Sequence, residues 1–222
     1  MSVKTSVKTD LYQGHDYYQV DELLSEDHLL AREAVRAWVK QEVSPIIEDY
    51  SNRAQCPTHL FKGLAEIGAF GPSLPVEYGG GGMDEMAYGV IMQELERGDS
   101  GIRSMASVQG SLVMYPIYRY ASEEHKKKFL PKLGAGELIG CFGLTEPDHG
   151  SNPAGMSTRI VDDGDAYILN GAKMWITNSP VADLAVVWAR DAEDNIRGMI
   201  VEAGWKGFSA PEIHGKWSLR AS

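Results

Sequence analysis

One change in the spacing of apolar residues constrains this chain more than any other feature. Up to residue 137 they recur at three- and four-residue intervals, as one face of a helix requires; after residue 151 they fall into short runs between tight turns, as strands require. A chain that switches period in this way folds as helices followed by sheet, an α+β arrangement. The expected layout is a flexible N-terminal arm over 1–24, an all-α helical domain over 25–137 and a middle β domain over 138–222. That last domain is expected to be antiparallel and barrel-like. The seam is Cys141-Phe142-Gly143-Leu144-Thr145-Glu146-Pro147-Asp148-His149-Gly150-Ser151. A junction of two kinds of layer is a common place for a ligand.

The residue types at the seam have chemical uses. Pro147 has no N–H to give a ladder and stops a central strand. Gly150 lets the main chain approach a ligand closely. Thr145 and Ser151 each offer one donor and two acceptor lone pairs, and successive N–H groups in a turn can cradle an anion. The stretch can therefore hold a polar ring edge at one end and a phosphate at the other. It equally fits a plain connector capped by hydroxyls.

In the helical part, Ser25 reads as an N-cap with Glu26 and Asp27 in the first turn. Leu30, Ala34, Val35, Trp38, Val39 and Val43 give one face, and Pro45 ends or kinks it. Leu60, Leu64 and Ile67 mark a second helix with Gly68 as its C-cap. Residues 71–82 form a Pro/Gly loop. A third helix starts near Asp84 and carries Ala87, Val90, Ile91, Glu94 and Leu95. Apolar residues return over 105–120, broken by Gly110 and Pro116. Ser122 opens a short helix expected to close at Pro131. The strand candidates are 138–142, 156–161, 166–169, 173–177, 184–189 and 198–201, with Asn170-Gly171 as a two-residue hairpin turn.

Composition removes several classes. With a net charge of −10 the chain is a poor match for a phosphate backbone, so no nucleic acid is expected. No segment is apolar enough for membrane insertion. Two cysteines, Cys56 and Cys141, fit a reducing compartment, and the polar N-terminus lacks a secretory core. The expected location is cytoplasmic, or the mitochondrial matrix in a eukaryote.

Short strings offer competing chemistry. The glycine run before Met83 lacks the Gly-Lys-Ser/Thr of a phosphate loop. Gly98-Asp99-Ser100-Gly101 matches the surroundings of a serine nucleophile but has no supporting base. Glu146, Asp148 and His149 lack a paired-ligand spacing, so no metal is expected. Cys141 reads as a small buried hydrophobe. Arg103, followed by Ser104, offers a fork for a carboxylate, or else an ion pair with a local acid such as Asp99. In a strand Trp175 and Thr177 would share a face, as a stacking platform with a hydroxyl or as a core Trp with an edge Thr.

Taken in order, these features resemble the acyl-CoA dehydrogenase family from about Glu26 onward. The motif 141–151 and Asn170-Gly171-Ala172-Lys173-Met174-Trp175-Ile176-Thr177-Asn178 carry most of the likeness. The strings D-S-G-I-R-S at 99–104, S-V-Q-G-S-L-V-M at 107–114, W-I-T-N-S-P at 175–180 and K-W-S-L-R-A-S at 216–222 point to the glutaryl-CoA branch.

The resemblance implies FAD with its flavin against the middle domain. Phe142, Leu144 and Thr145 would line the ring, with Thr145 near its pyrimidine edge. Gly150 and Ser151 would meet the pyrophosphate or the acyl-CoA. Trp175 and Ile176 would lie by the ring, and Thr177 would bond near the reactive nitrogen N5. Arg103 and Ser104, with Ser151 on the acyl-CoA, would bind substrate.

The implied reaction is removal of an α-proton by a glutamate with β-hydride transfer to flavin. Decarboxylation to crotonyl-CoA follows in the glutaryl branch, and the electrons pass to an electron-transferring flavoprotein. The implied assembly is a homotetramer. The resemblance further implies that the glutamate sits in a third, C-terminal helical domain. The middle β domain over 138–222 is therefore expected to be incomplete, cut off before that domain, and the base to lie beyond Ser222. Residues 1–222 are accordingly expected to be inactive alone and poor at retaining FAD. Gly150-Ser151-Asn152 departs from the common Gly-Ser-Asp. Two alternatives are a non-catalytic acyl-CoA or partner-binding module of the same fold and a short-chain acyl-CoA dehydrogenase of other specificity.

Overall fold

The computed structural model describes residues 16–222. Most of the expected N-terminal arm therefore lies outside the described residues. Its remainder is not all loose: Val20–Leu23 makes a 3-10 turn, and Asp21 pairs with Arg32 at 2.5 Å.

Seven α-helices follow among the described residues: α1 (Glu26–Trp38), α2 (Ile47–Arg53), α3 (Leu60–Glu66), α4 (Glu85–Gly98), α5 (Ser100–Ser107), α6 (Tyr115–Tyr120) and α7 (Glu123–Gly134). Their starts follow from their caps. Ser25 Oγ accepts the His28 N–H while His28 Nδ1 accepts the Ser25 N–H, a reciprocal cap that satisfies two orphan donors of α1. Asp84 caps α4, Asp99 caps α5 and Ser122 caps α7 in the same sense. Two π-helical segments, Val39–Val43 and Val108–Met114, continue α1 and α5 with an extra residue per turn.

One helix lies outside the expectations and one helix end needs correction. Helix α2 has too few apolar positions to have been expected from periodicity. Helix α7 runs through Pro131 to Gly134. Pro131 lies in its last turn, and the carbonyl that loses a partner belongs to exposed Lys127, where water can serve.

The strands are β1 (Gly140–Gly143), β2 (Arg159–Asp162), β3 (Tyr167–Asn170), β4 (Leu184–Arg190) and β5 (Ile196–Glu202). The helical part followed by a sheet bears out the α+β expectation. The five-stranded sheet is mixed and does not close on itself: β4 runs parallel to β1 and antiparallel to β5, and touches β2 in parallel at Arg159–Arg190. Only β2–β3 and β4–β5 are antiparallel pairs. The expected strand over 173–177 is absent. Gly171 lies against Thr158, where an added Cβ would fall 2.3 Å from Oγ1, and the chain then leaves the sheet as an irregular turn.

Alternation on β4 shows how the layers join. Leu184 and Val186 pack into the helical core with Val35, Leu64, Leu95, Met105, Met114, Leu130 and Leu133. Ala185 and Val187 face the other way with Cys141, against Leu169, Ile176, Val201 and Phe208. A strand buried on both faces reads as a continuous apolar run, and each large side chain buried there contributes roughly 1.5–3 kcal/mol. Glu94 is the polar exception on the α4 face. It is fully buried, and Arg36 reaches it from α1 with Nε at 2.9 Å and Nη2 at 2.8 Å.

Candidate functional site at the helix–sheet seam

Beyond β1 the chain turns at Leu144 and Thr145, and the irregular segment after Gly171 comes back alongside it. Met174 donates its N–H to the Thr145 carbonyl at 2.9 Å. Lys173 Nζ donates to the Leu144 carbonyl at 3.1 Å and to Glu146 Oε1 at 2.8 Å. Glu146 also accepts from the Ser157 and Thr158 N–H groups and from the Thr158 hydroxyl. Burial alone would push the Glu146 carboxyl up, but Lys173, the Thr158 hydroxyl and the two N–H groups outweigh it and hold the carboxyl at about 2. An ionised, buried carboxylate therefore pins three segments around Leu144 and Thr145.

Trp175 adopts a left-handed backbone, φ 63°, and the residue is 60 % exposed. It does not share a strand face with Thr177, as expected of a returning strand; the turn instead leaves the indole outward and Ile176 packed inward on the second core cluster. Thr145 and Thr177 are both half-buried, and their hydroxyls have no hydrogen-bond partner in the protein among the described residues. Phe142 stands edge-on to Trp188 at 6.1 Å between ring centroids. Gly150 and Ser151 lie exposed past the short Glu146–His149 bridge, with open space around Gly150.

Arg103 lies on α5, where its Nε donates to Glu96 Oε2 at 2.7 Å and its Nη1 reaches Ser107 Oγ at 3.5 Å. Its partner is thus Glu96 rather than Asp99, whose carboxylate is taken by the Gly101 and Ile102 N–H groups. Hydrogen bonds from Ser100 and Arg103 hold the Glu96 carboxyl below its ordinary value. Arg103 Nη2 has no partner in the protein among the described residues. Ser104 is buried beside it. A cleft of about 390 Å³ opens further along the same helical segment, lined in part by Ser73, Tyr88, Ser111 and Tyr115.

Both thiols are withdrawn from chemistry. Burial pushes Cys141 up to about 12 and Cys56 up to about 11. Among the described residues no three His, Cys, Asp or Glu side chains gather as a metal site, and no helix is long and apolar enough to cross a membrane.

Sequence reasoning missed Lys173, Gln109 and Asn178 as structural parts of this region. Each carried a weak signal, a polar side chain inside an apolar or aromatic run. Along the sequence Glu146 reads only as a possible metal ligand, because its partners are 11 to 27 positions away.

Known proteins share this architecture. Residues 25–137 match the family model described as acyl-CoA dehydrogenase, N-terminal domain, and residues 141–222 match the acyl-CoA dehydrogenase, middle domain. A crystal structure of a glutaryl-CoA dehydrogenase from Mycobacterium smegmatis in complex with FADH2 superposes with a TM-score of 0.89 at 50 % identity, covering 92 % of this chain and 52 % of that one. The glutaryl-CoA dehydrogenase of Desulfococcus multivorans is 37 % identical over 75 % of this chain and 43 % of its own length. A short-chain specific acyl-CoA dehydrogenase of Clostridium acetobutylicum is 36 % identical over 90 % of this chain and 54 % of its own length. The chain thus spans about half the length of the relatives it matches.

Proposed function

The chain belongs to the acyl-CoA dehydrogenase family, and on that premise we propose that the whole protein carries out FAD-dependent α,β-dehydrogenation of glutaryl-CoA, with decarboxylation to crotonyl-CoA. The observation that supports the flavin part of this reading is the Met174 N–H to Thr145 carbonyl bond, which sets the segments carrying Thr145 and Trp175 side by side. The donor set fits a flavin: two half-buried hydroxyls without protein partners, at Thr145 and Thr177, beside an outward indole at Trp175.

In this reading FAD, when bound, supplies the hydride acceptor. Phe142, Leu144 and Ile176 shield the ring from water. Thr145 and Thr177 hydrogen-bond its polar edge, and Trp175 stacks beside it. Gly150 and Ser151 meet the pyrophosphate or the acyl-CoA. Ser104 and the free Nη2 edge of Arg103 hold the distal carboxylate, with Glu96 keeping the guanidinium in place. Glu146 is committed to Lys173 and Thr158 and is assigned no proton transfer; no acid within residues 1–222 is given the α-proton. The electrons pass to an electron-transferring flavoprotein, and the protein works as a homotetramer in the cytoplasm or mitochondrial matrix.

The test is the flavin absorbance band of the whole gene product. It should bleach with glutaryl-CoA and not with butyryl-CoA. Equal bleaching by both removes the glutaryl assignment in favour of a short-chain monoacid, the reading that the 36 % identity to the Clostridium acetobutylicum enzyme supports. A colourless protein that acts on neither thioester removes the FAD reading.

A further inference from the structure

The first residue of β1 is gripped from both sides by buried side-chain amides. Gln109, fully buried in the π-helical segment after α5, accepts the Gly140 N–H through Oε1 at 2.8 Å. Its Nε2 donates to the carbonyls of Leu133 at 2.9 Å and Leu138 at 2.7 Å. Asn178, buried directly after Thr177, donates Nδ2 to the Gly140 carbonyl at 3.2 Å and to the Met105 carbonyl of α5 at 3.3 Å. There is no slack between the parts, since a Cβ at position 140 would come within 2.5 Å of Val113 Cγ1.

We propose that Gln109 and Asn178 are positioning residues that set the separation between α5, with Arg103 and Ser104, and the segments carrying Phe142, Leu144, Thr145, Trp175 and Thr177. The inference rests on the site reading given above. Asn178 touches all three parts: it follows Thr177 in the chain, reaches α5 at Met105 and reaches β1 at Gly140. Its Oδ1 is buried without a protein partner, a cost that simple core filling would not retain. The position therefore needs the two donor hydrogens of an amide. It also sits at φ 69°, a backbone that asparagine tolerates better than most residues.

The test compares Asn178→Gly, which keeps the left-handed backbone and deletes both bonds, with Gly68→Ala. The second variant strains a left-handed turn, φ 73°, that lies in open space, and so controls for lost stability alone. Two quantities are read on the whole gene product. One is the Kd of the apoprotein for FAD. The other is the ratio of Kd values for S-butyl-CoA and S-(4-carboxybutyl)-CoA, two thioethers that cannot be oxidised, followed by flavin absorbance. Asn178→Gly should weaken FAD binding about tenfold and lower the preference for the carboxylated thioether about fivefold, as expected for losing two hydrogen bonds. Gly68→Ala should change neither, and Asn178→Ser, with one shorter donor, should fall between. Wild-type values for Asn178→Gly, or losses shared equally with Gly68→Ala, overturn the proposal. A wild-type protein without preference for the carboxylated thioether refutes the glutaryl reading instead, and the FAD measurement then judges the positioning role by itself.

Discussion

Replacing Glu146 with glutamine should cost the fold about 3 kcal/mol at neutral pH. The carboxylate is acceptor-only, and four protein donors converge on it: the Ser157 and Thr158 N–H groups, the Thr158 hydroxyl and Lys173 Nζ. Glutamine leaves one acceptor oxygen for them, turns an N–H2 toward an N–H, and strands an ammonium whose side chain is only 10 % exposed.

A fall of the carboxyl from 4.5 to about 2 corresponds to about 3 kcal/mol. That agrees with the roughly 3–5 kcal/mol for breaking a buried pair. For a chain of this size the melting temperature should drop by roughly 6–12 °C.

The dependence on pH has a definite direction. Because the folded carboxyl titrates lower than the unfolded one, its contribution is complete above about 4.5 and disappears as the pH falls toward about 2. Thermal melts of wild type and Glu146→Gln, recorded from pH 7 to pH 2, measure the difference directly. A penalty below about 1 kcal/mol at pH 7 would refute the reasoning, since that is the size of an exposed pair. So would a difference that stays constant from pH 4.5 to pH 2.

Two further outcomes follow from the placement of single residues. Trp175→Ala removes an exposed indole, so folding stability should move by no more than about 0.5 kcal/mol in apoprotein melts. FAD affinity by titration should fall about tenfold, because a lost aromatic stack is worth roughly 0.5–1.5 kcal/mol beyond its area. Arg103→Gln breaks a partly exposed pair with Glu96 and a long contact with Ser107, so the melting temperature should barely change. Its kcat/KM for glutaryl-CoA should drop roughly 10–100-fold, the loss of a charge-assisted bond, while that for butyryl-CoA holds.

The helical half was legible largely because its information is local. Ser25, Asp84 and Ser122 announce helix starts through bonds three residues long. The apolar face of α4 could be read directly, down to Glu94, although nothing in the string 85–98 says that Arg36 lies opposite it. The β half was legible where a strand is a plain apolar run, as in β4, and was misread where a turn signal had another use. Asn170-Gly171 is such a case, since the glycine serves a close approach to Thr158 and not a hairpin.

The motif around Leu144, Thr145 and Trp175 could be singled out, but the bonds that hold it could not. Lys173 to Glu146 spans 27 positions, Gln109 to Gly140 spans 31 and Asn178 to Gly140 spans 38. Pairings at such separations depend on which layers meet, and residue spacing along a single element carries no record of that.

The two deeply raised thiols have a practical side. Burial raises both the Cys56 and the Cys141 thiol, so thiolate is scarce at neutral pH and thiol reagents find little to attack at either position. Residues 1–222 thus offer a quiet background for attaching probes. A single cysteine introduced at the exposed Asp148, on the turn after Pro147, would take a spin label or fluorophore without first removing Cys56 or Cys141, and would report movement of that turn as ligands arrive.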